Sequence, residues 1–258
     1  MKISKYLLYC LYSLVLILQA NISHSSTVSI LSDQWYPING VPNSSHPGYM
    51  IEIAHSILKK YGHKLDYRLA PWKRSLSEVR QGNADCIVGA YKSDAPDFIF
   101  PAQAWGKAEF KFYVPVNSTW QYNGSLEVND MSLGVVSGYT YSPELDRYIS
   151  ENKHTSKVQL TAGEDALELN IRKLMATRID AIVSFEPVME NKLGKMNLSG
   201  KIKSAGALGP AQLMYIACSP KKVSSHYYSE LFSTGIVVLR KSGELHRILK
   251  KYGLKDWQ

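Results

Sequence analysis

The residues able to do chemistry in this sequence fall in short loops, and nearly all of them have an aromatic neighbour. SDQWYP (32–37) offers Asp33, Trp35 and Tyr36, APWKRS (70–75) offers Trp72 and Arg74, and AYKS (90–93) offers Tyr91 and Lys92. Further along, VVSGYTYSPE (135–144) offers Ser137, Gly138, Tyr139 and Thr140, and SFEP (184–187) offers Glu186. The aromatic rings suit the faces of a small ligand, and Arg74 or Lys92 suits a carboxylate, Arg74 in bidentate fashion. Ser137, Gly138 and Thr140 precede a helix whose first amides and positive dipole end favour an anionic group. Glu186 suits an ammonium group. Each residue also has a plainer role open to it. Trp72 can pack on the helix it begins, Arg74 can pair with Glu78, Lys92 can be a solvated surface lysine, and Tyr36 can shape the turn into Pro37. Ser142 can cap the following helix with Pro143 in its first turn, and Glu186 can be a solvated loop carboxylate.

The same inventory argues against catalysis. No G-x-S-x-G segment occurs, and the seven histidines show no H-E-x-x-H spacing. Only Glu186 or Asp33 is placed to act as a general acid or base. The reading is therefore a binding protein with no catalytic residue, no metal and no cofactor.

Positioning these loops requires strands that end beside them. TVSIL (27–31) is a β-branched run, and Met50, Ile53, Ala54, Ile57, Leu58 and Tyr61 recur at helical spacing up to Gly62. Leu65, Tyr67 and Leu69 alternate as a strand, Leu76 and Val79 mark a short helix, and DCIVGA (85–90) is a buried strand. The βαβαβ succession repeats after residue 130 as SLGVV, a helix from Ser142–Pro143, KVQLT, a helix through Leu167–Met175, and DAIVSF. Strands alternating with helices imply parallel sheets covered on both faces. In such sheets ligands bind beyond the carboxyl ends of the strands, where the loops above converge. The predicted organisation is two α/β lobes, lobe one from 27–112 plus 215–258 and lobe two from 113–214. EFKFYVPVN and QLMYIACSP are read as the two crossings that form a hinge, and helices around 228–239 and 242–252 return to lobe one.

At the N-terminus, Lys2 and Lys5 precede a thirteen-residue apolar run, Tyr6–Leu18, and then the small and polar stretch to Thr27. That is the pattern of a secretory signal peptide over residues 1–25, too short to span a bilayer, and it implies a periplasmic location. Of 30 basic residues, Lys2 and Lys5 leave with the signal, so 28 face 22 acidic ones and the net charge falls from +8 to +6. The scattered basic residues read as solvated faces, with no nucleic-acid partner and a monomeric state expected. Cys86 and Cys218 remain, and the sequence leaves open a disulfide or two buried thiols.

Over nearly its whole processed length the chain resembles the family-3 solute-binding proteins, periplasmic receptors best known for polar amino acids. SDQWYP with PGYMIEIAHSILKKYG is similar to the family's first strand, ligand-loop aromatic and helix start, and APWKRSLSEVRQGNADCIVGA to its segment from a cleft aromatic to the Gly-x-x-Asp strand. LGVVSGYTY resembles its Gly-Thr turn and GELHRILKKYGL its terminal helix. The resemblance implies the type II periplasmic-binding-protein fold, closure over a small-molecule ligand, and delivery to a membrane partner, either an ABC-transporter permease or a sensor protein. It also points away from an ordinary α-amino acid. The stretch YKSDAPDFIFP lacks the family's carboxylate-gripping Arg, and Phe185 stands where the family has the Asp that receives an α-ammonium. A dehydratase-like enzyme on the same scaffold is the remaining alternative.

Overall fold

The computed structural model describes residues 25–125 and 131–258. The predicted signal peptide lies outside them, apart from Ser25. Among the described residues, no helix is long and apolar enough to cross a membrane.

Two five-stranded sheets organise the chain. The first has the order β2-β1-β3-β10-β4, from β1 (Thr27–Ser32), β2 (Lys64–Leu69), β3 (Cys86–Ala90), β4 (Gly106–Ala108) and β10 (Gln212–Cys218). The second has the order β7-β6-β8-β5-β9, from β5 (Phe110–Pro115), β6 (Leu133–Val136), β7 (Val158–Thr161), β8 (Ala181–Phe185) and β9 (Ile202–Ala207). β1, β2 and β3 run parallel, as do β6, β7 and β8. β10 is antiparallel to β3 and β4, and β5 is antiparallel to β8 and β9, so each sheet is mixed. The chain changes sheet at Glu109 and again within residues 208–211, where Leu208 N–H donates to Phe110 O at 2.8 Å.

Helices cover the sheets through apolar stripes. α1 (Tyr49–Lys60) buries Tyr49, Met50, Ile53, Ala54, Ile57 and Leu58, and carries Glu52 in its first turn and Lys59 and Lys60 in its last, matching the helix dipole. α2 (Trp72–Gln81) buries Trp72, Ser75, Leu76 and Val79 and stops at Gly82, whose φ of +85° closes the helix. The second lobe holds α3 (Pro143–Asn152), α4 (Ala166–Met175) and α5 (Glu186–Lys195), and the chain ends with α6 (Ser225–Lys241) and α7 (Glu244–Lys251) on the first. α6 lies close against α1, since a Cβ at Gly235 would come within 2.6 Å of the Ile57 side chain. α5 was not expected from the sequence, which reads this stretch as loop.

Cys86 and Cys218 are register partners on β3 and β10 and form a disulfide, with a Cα–Cα distance of 3.9 Å. This settles the alternative the sequence leaves open, and it pins the returning strand to the middle of the first sheet.

Candidate functional site

The loops after β1, β2, β3 and β6 converge on a cleft between the sheets. The first loop is held by a tight turn. Trp35 N–H donates to Asn39 O at 2.8 Å, and buried Asn39 donates through Nδ2 to Ser32 Oγ at 2.8 Å. The Tyr36–Pro37 peptide bond within it is cis. This turn sets Trp35 into the interior, stacked on Phe110 at 6.2 Å and within 5.8 Å of the Phe185 ring. Trp72, the first residue of α2, lies edge-on to Tyr139 at 6.4 Å.

The β6–α3 loop is organised by its own side chains. Ser142 Oγ accepts from Leu145 N–H, Asp146 Oδ1 accepts from Tyr141 N–H at 3.0 Å, and Tyr141 OH accepts from Val136 N–H at 2.9 Å. Gly138, at φ +87°, makes the turn and brings its backbone against the Lys73 side chain of the opposite lobe. Tyr139 and Thr140 are thereby swung across the cleft.

Tyr139 donates its hydroxyl to the Asp33 carboxylate, bridging the two lobes, and the Thr140 hydroxyl bonds the carboxylate of Asp94. Asp94 Oδ2 also accepts from Tyr91 N–H at 2.7 Å. Protein atoms enclose both carboxyls although part of each residue's surface stays accessible. Burial pushes Asp33 up from 3.8 to about 6, against the pull of the Tyr139 hydroxyl. Burial likewise pushes Asp94 to about 6, against its Tyr91 and Thr140 hydrogen bonds. Burial and the adjacent Asp33 charge also hold the Tyr139 hydroxyl well above its ordinary range.

The Asp33–Tyr139 contact divides the cleft into two compartments that share Asp33, Trp35, Phe110 and Tyr139. The larger, about 640 Å³ including its mouth, adds Gln34, Tyr36, Glu164, Ser184, Asn191, Lys192 and Lys195. The smaller, about 290 Å³, adds Trp72, Gly89, Tyr91, Asp94 and Thr140.

Of the residues singled out from sequence, Trp35, Tyr36, Trp72, Tyr91, Tyr139 and Thr140 line this cleft. The rest lie elsewhere. Arg74 is exposed on α2. Lys92 is exposed, with its ammonium 5.3 Å from the Tyr215 ring. Glu186 pairs with Lys111 at 2.8 Å. Ser137 N–H donates to Thr161 O at 2.8 Å, and Gly138 is exposed. Asp94, Asn191, Lys192 and Lys195 were missed. Lys195 lies 4.8 Å from the Tyr36 ring and Lys192 pairs with Glu168 at 3.6 Å, so both lysines have partners. Among the described residues, no group of three or more His, Cys, Asp and Glu side chains could hold a metal ion.

The chain matches no protein-family model and no curated protein. Solved structures do resemble it. One comes from work on glutathione import via GshT and the cystine ABC importer TcyBC of Streptococcus mutans, with TM-score 0.74, 19% identity, and coverage of 90% of this chain and 98% of that one. A histidine kinase sensor domain with similarity to periplasmic binding proteins gives TM-score 0.72 and 19% identity over 90% and 97% of the two chains. A mutant of ArgBP from T. maritima gives TM-score 0.72 and 16% identity over 89% and 96%. The chain has the type II periplasmic-binding-protein fold, and its structural neighbours include binding proteins and a sensor domain.

Proposed function

We propose that this chain is a periplasmic solute-binding protein that captures a small polar ligand, amino-acid-like or ring-bearing, and presents it to a membrane partner. The observation that carries the reading is the cleft itself, whose walls come from both lobes and which Tyr139 of one lobe closes onto Asp33 of the other. A ligand there contacts both lobes only when they are together, so binding shifts the population toward the closed form. The two short links at Glu109 and 208–211 serve as the hinge. Trp35, Tyr36, Trp72, Tyr91, Tyr139 and Thr140 are the contacts carried forward from the sequence, joined by Asp33 and Asp94.

We read the protein as a binder and not an enzyme, in keeping with neighbours that are substrate-binding proteins of ABC importers and one sensor domain. Those neighbours support two partners, a permease or a membrane sensor, and gene context distinguishes them. The test of capture is thermal stabilisation by a panel of amino acids, amines, organic acids and short peptides. A ligand at 100 times its Kd should stabilise the protein by about 2.7 kcal/mol. A folded protein unmoved by the whole panel would remove the basis for this reading.

A further inference from the structure

We infer that the captured ligand is an organic cation without an α-carboxylate, a protonated amine whose charged end seats in the smaller compartment between Asp33 and Asp94. The inference rests on the capture reading above and specifies its ligand class.

Three observations carry it. First, the compartment holds two carboxylates and, among the described residues, neither is in an ion pair and no lysine, arginine or histidine lines it. A carboxylate entering it would face two like charges in an enclosed, low-dielectric space, whereas an ammonium would compensate both. Second, Trp35, Trp72, Tyr91 and Tyr139 supply the rest of the wall. Aromatic faces attract cations, most strongly where water is excluded. Third, the Tyr91 hydroxyl is buried with no hydrogen-bond partner. Buried hydroxyls are normally bonded, so this one leaves a hydrogen bond unmade at a residue of the wall.

An α-amino acid carries its ammonium and carboxylate on one carbon, so both must enter the same space. The lysines that could meet a carboxylate, Lys192 and Lys195, line the other compartment and are already engaged with Glu168 and the Tyr36 ring. With its ammonium between Asp33 and Asp94, an α-amino acid would therefore hold its carboxylate beside the same two acids and away from both lysines.

Matched pairs that differ only in the α-carboxylate test this directly. We would measure melting temperature with phenethylamine against phenylalanine and with tyramine against tyrosine. An amine at 100 times its Kd should raise Tm by about 5–10 °C, with its α-carboxylated parent giving no shift. Asp33→Asn and Asp94→Asn should each weaken amine binding at least about tenfold while near-UV circular dichroism shows an intact fold. If the parent amino acid binds as well as the amine, the inference falls and capture stands. If no member of either pair binds, this inference falls, and if the wider panel also fails, capture falls with it. Binding of an amine unaffected by both Asn variants would likewise overturn the placement of its charge.

Discussion

Replacing Asp33 with asparagine should stabilise the ligand-free protein at neutral pH, even though it removes a charge from the cleft. Burial raises the folded-state pKa of Asp33 from 3.8 to about 6. The native state therefore holds this proton more tightly than the unfolded chain, so stability falls as pH rises through the window from about 4 to 6. At about 1.4 kcal/mol per tenfold change in proton affinity, the full difference is about 3 kcal/mol above pH 6. The charged and titratable groups that face Asp33 are Tyr139, Tyr67, Tyr141 and Asp94, with Lys192 and Lys195 lining the adjoining compartment. The three tyrosines titrate far above this window, which leaves Asp94 as the facing group that shares it. Asparagine keeps the shape and an acceptor for the Tyr139 hydroxyl without the charge. Because part of the Asp33 surface is accessible and screened by solvent, the expected gain is about 1–3 kcal/mol at pH 7.5. Urea unfolding at pH 7.5 and pH 4 measures it. The midpoint should rise at the higher pH, and the gain should nearly vanish at the lower one. A destabilised variant at pH 7.5, or an equal change at both pH values, would refute the reasoning.

The other predictions are briefer. Serine at both Cys86 and Cys218, or reduction of the bridge, releases a cross-link between residues 132 apart and should lower stability by about 2–5 kcal/mol, read by urea unfolding with and without reductant. Tyr139→Phe removes the hydroxyl that joins the lobes, so small-angle scattering should show a larger radius of gyration for the ligand-free protein, and an unchanged radius would count against the bridge. Trp72→Ala should weaken ligand binding at least about tenfold because it deletes a wall of the smaller compartment. Arg74→Ala, on an exposed side chain, should leave affinity unchanged and stability within about 0.5 kcal/mol.

Much of the fold is written locally. β3 is legible because all of CIVGA is apolar or small and all of it is buried. α1 is legible because its buried residues keep a helical period. α5 is not, because its buried Val188, Met189 and Leu193 form too sparse a stripe. Pro187 in its first turn was the available signal. The exposure of Arg74 was also recoverable. Trp72, Ser75, Leu76 and Val79 define the inward face of α2, and position 74 lies half a turn away from it.

The acidic character of the cleft was beyond local reading. Asp94 sits in SDAPD, a stretch that as sequence resembles any solvated loop. It is bonded by Thr140 from the other lobe, forty-six positions along the chain, as Asp33 is by Tyr139 beside it. If the lobes close over the ligand as proposed, opening them would return both carboxylates to water. Closing an empty cleft costs desolvation at two acids, each held near pKa 6 in the closed form. A cation between them offsets that cost only when the lobes are together. The charge of the ligand is thus the interaction that differs between open and closed states, and such a difference is what a ligand must supply to shift a conformational equilibrium. A neutral isostere of the same shape would meet the same aromatic walls and leave both acids uncompensated. It should therefore bind without closing the cleft as fully, which scattering with the amine and its neutral alcohol analogue would reveal.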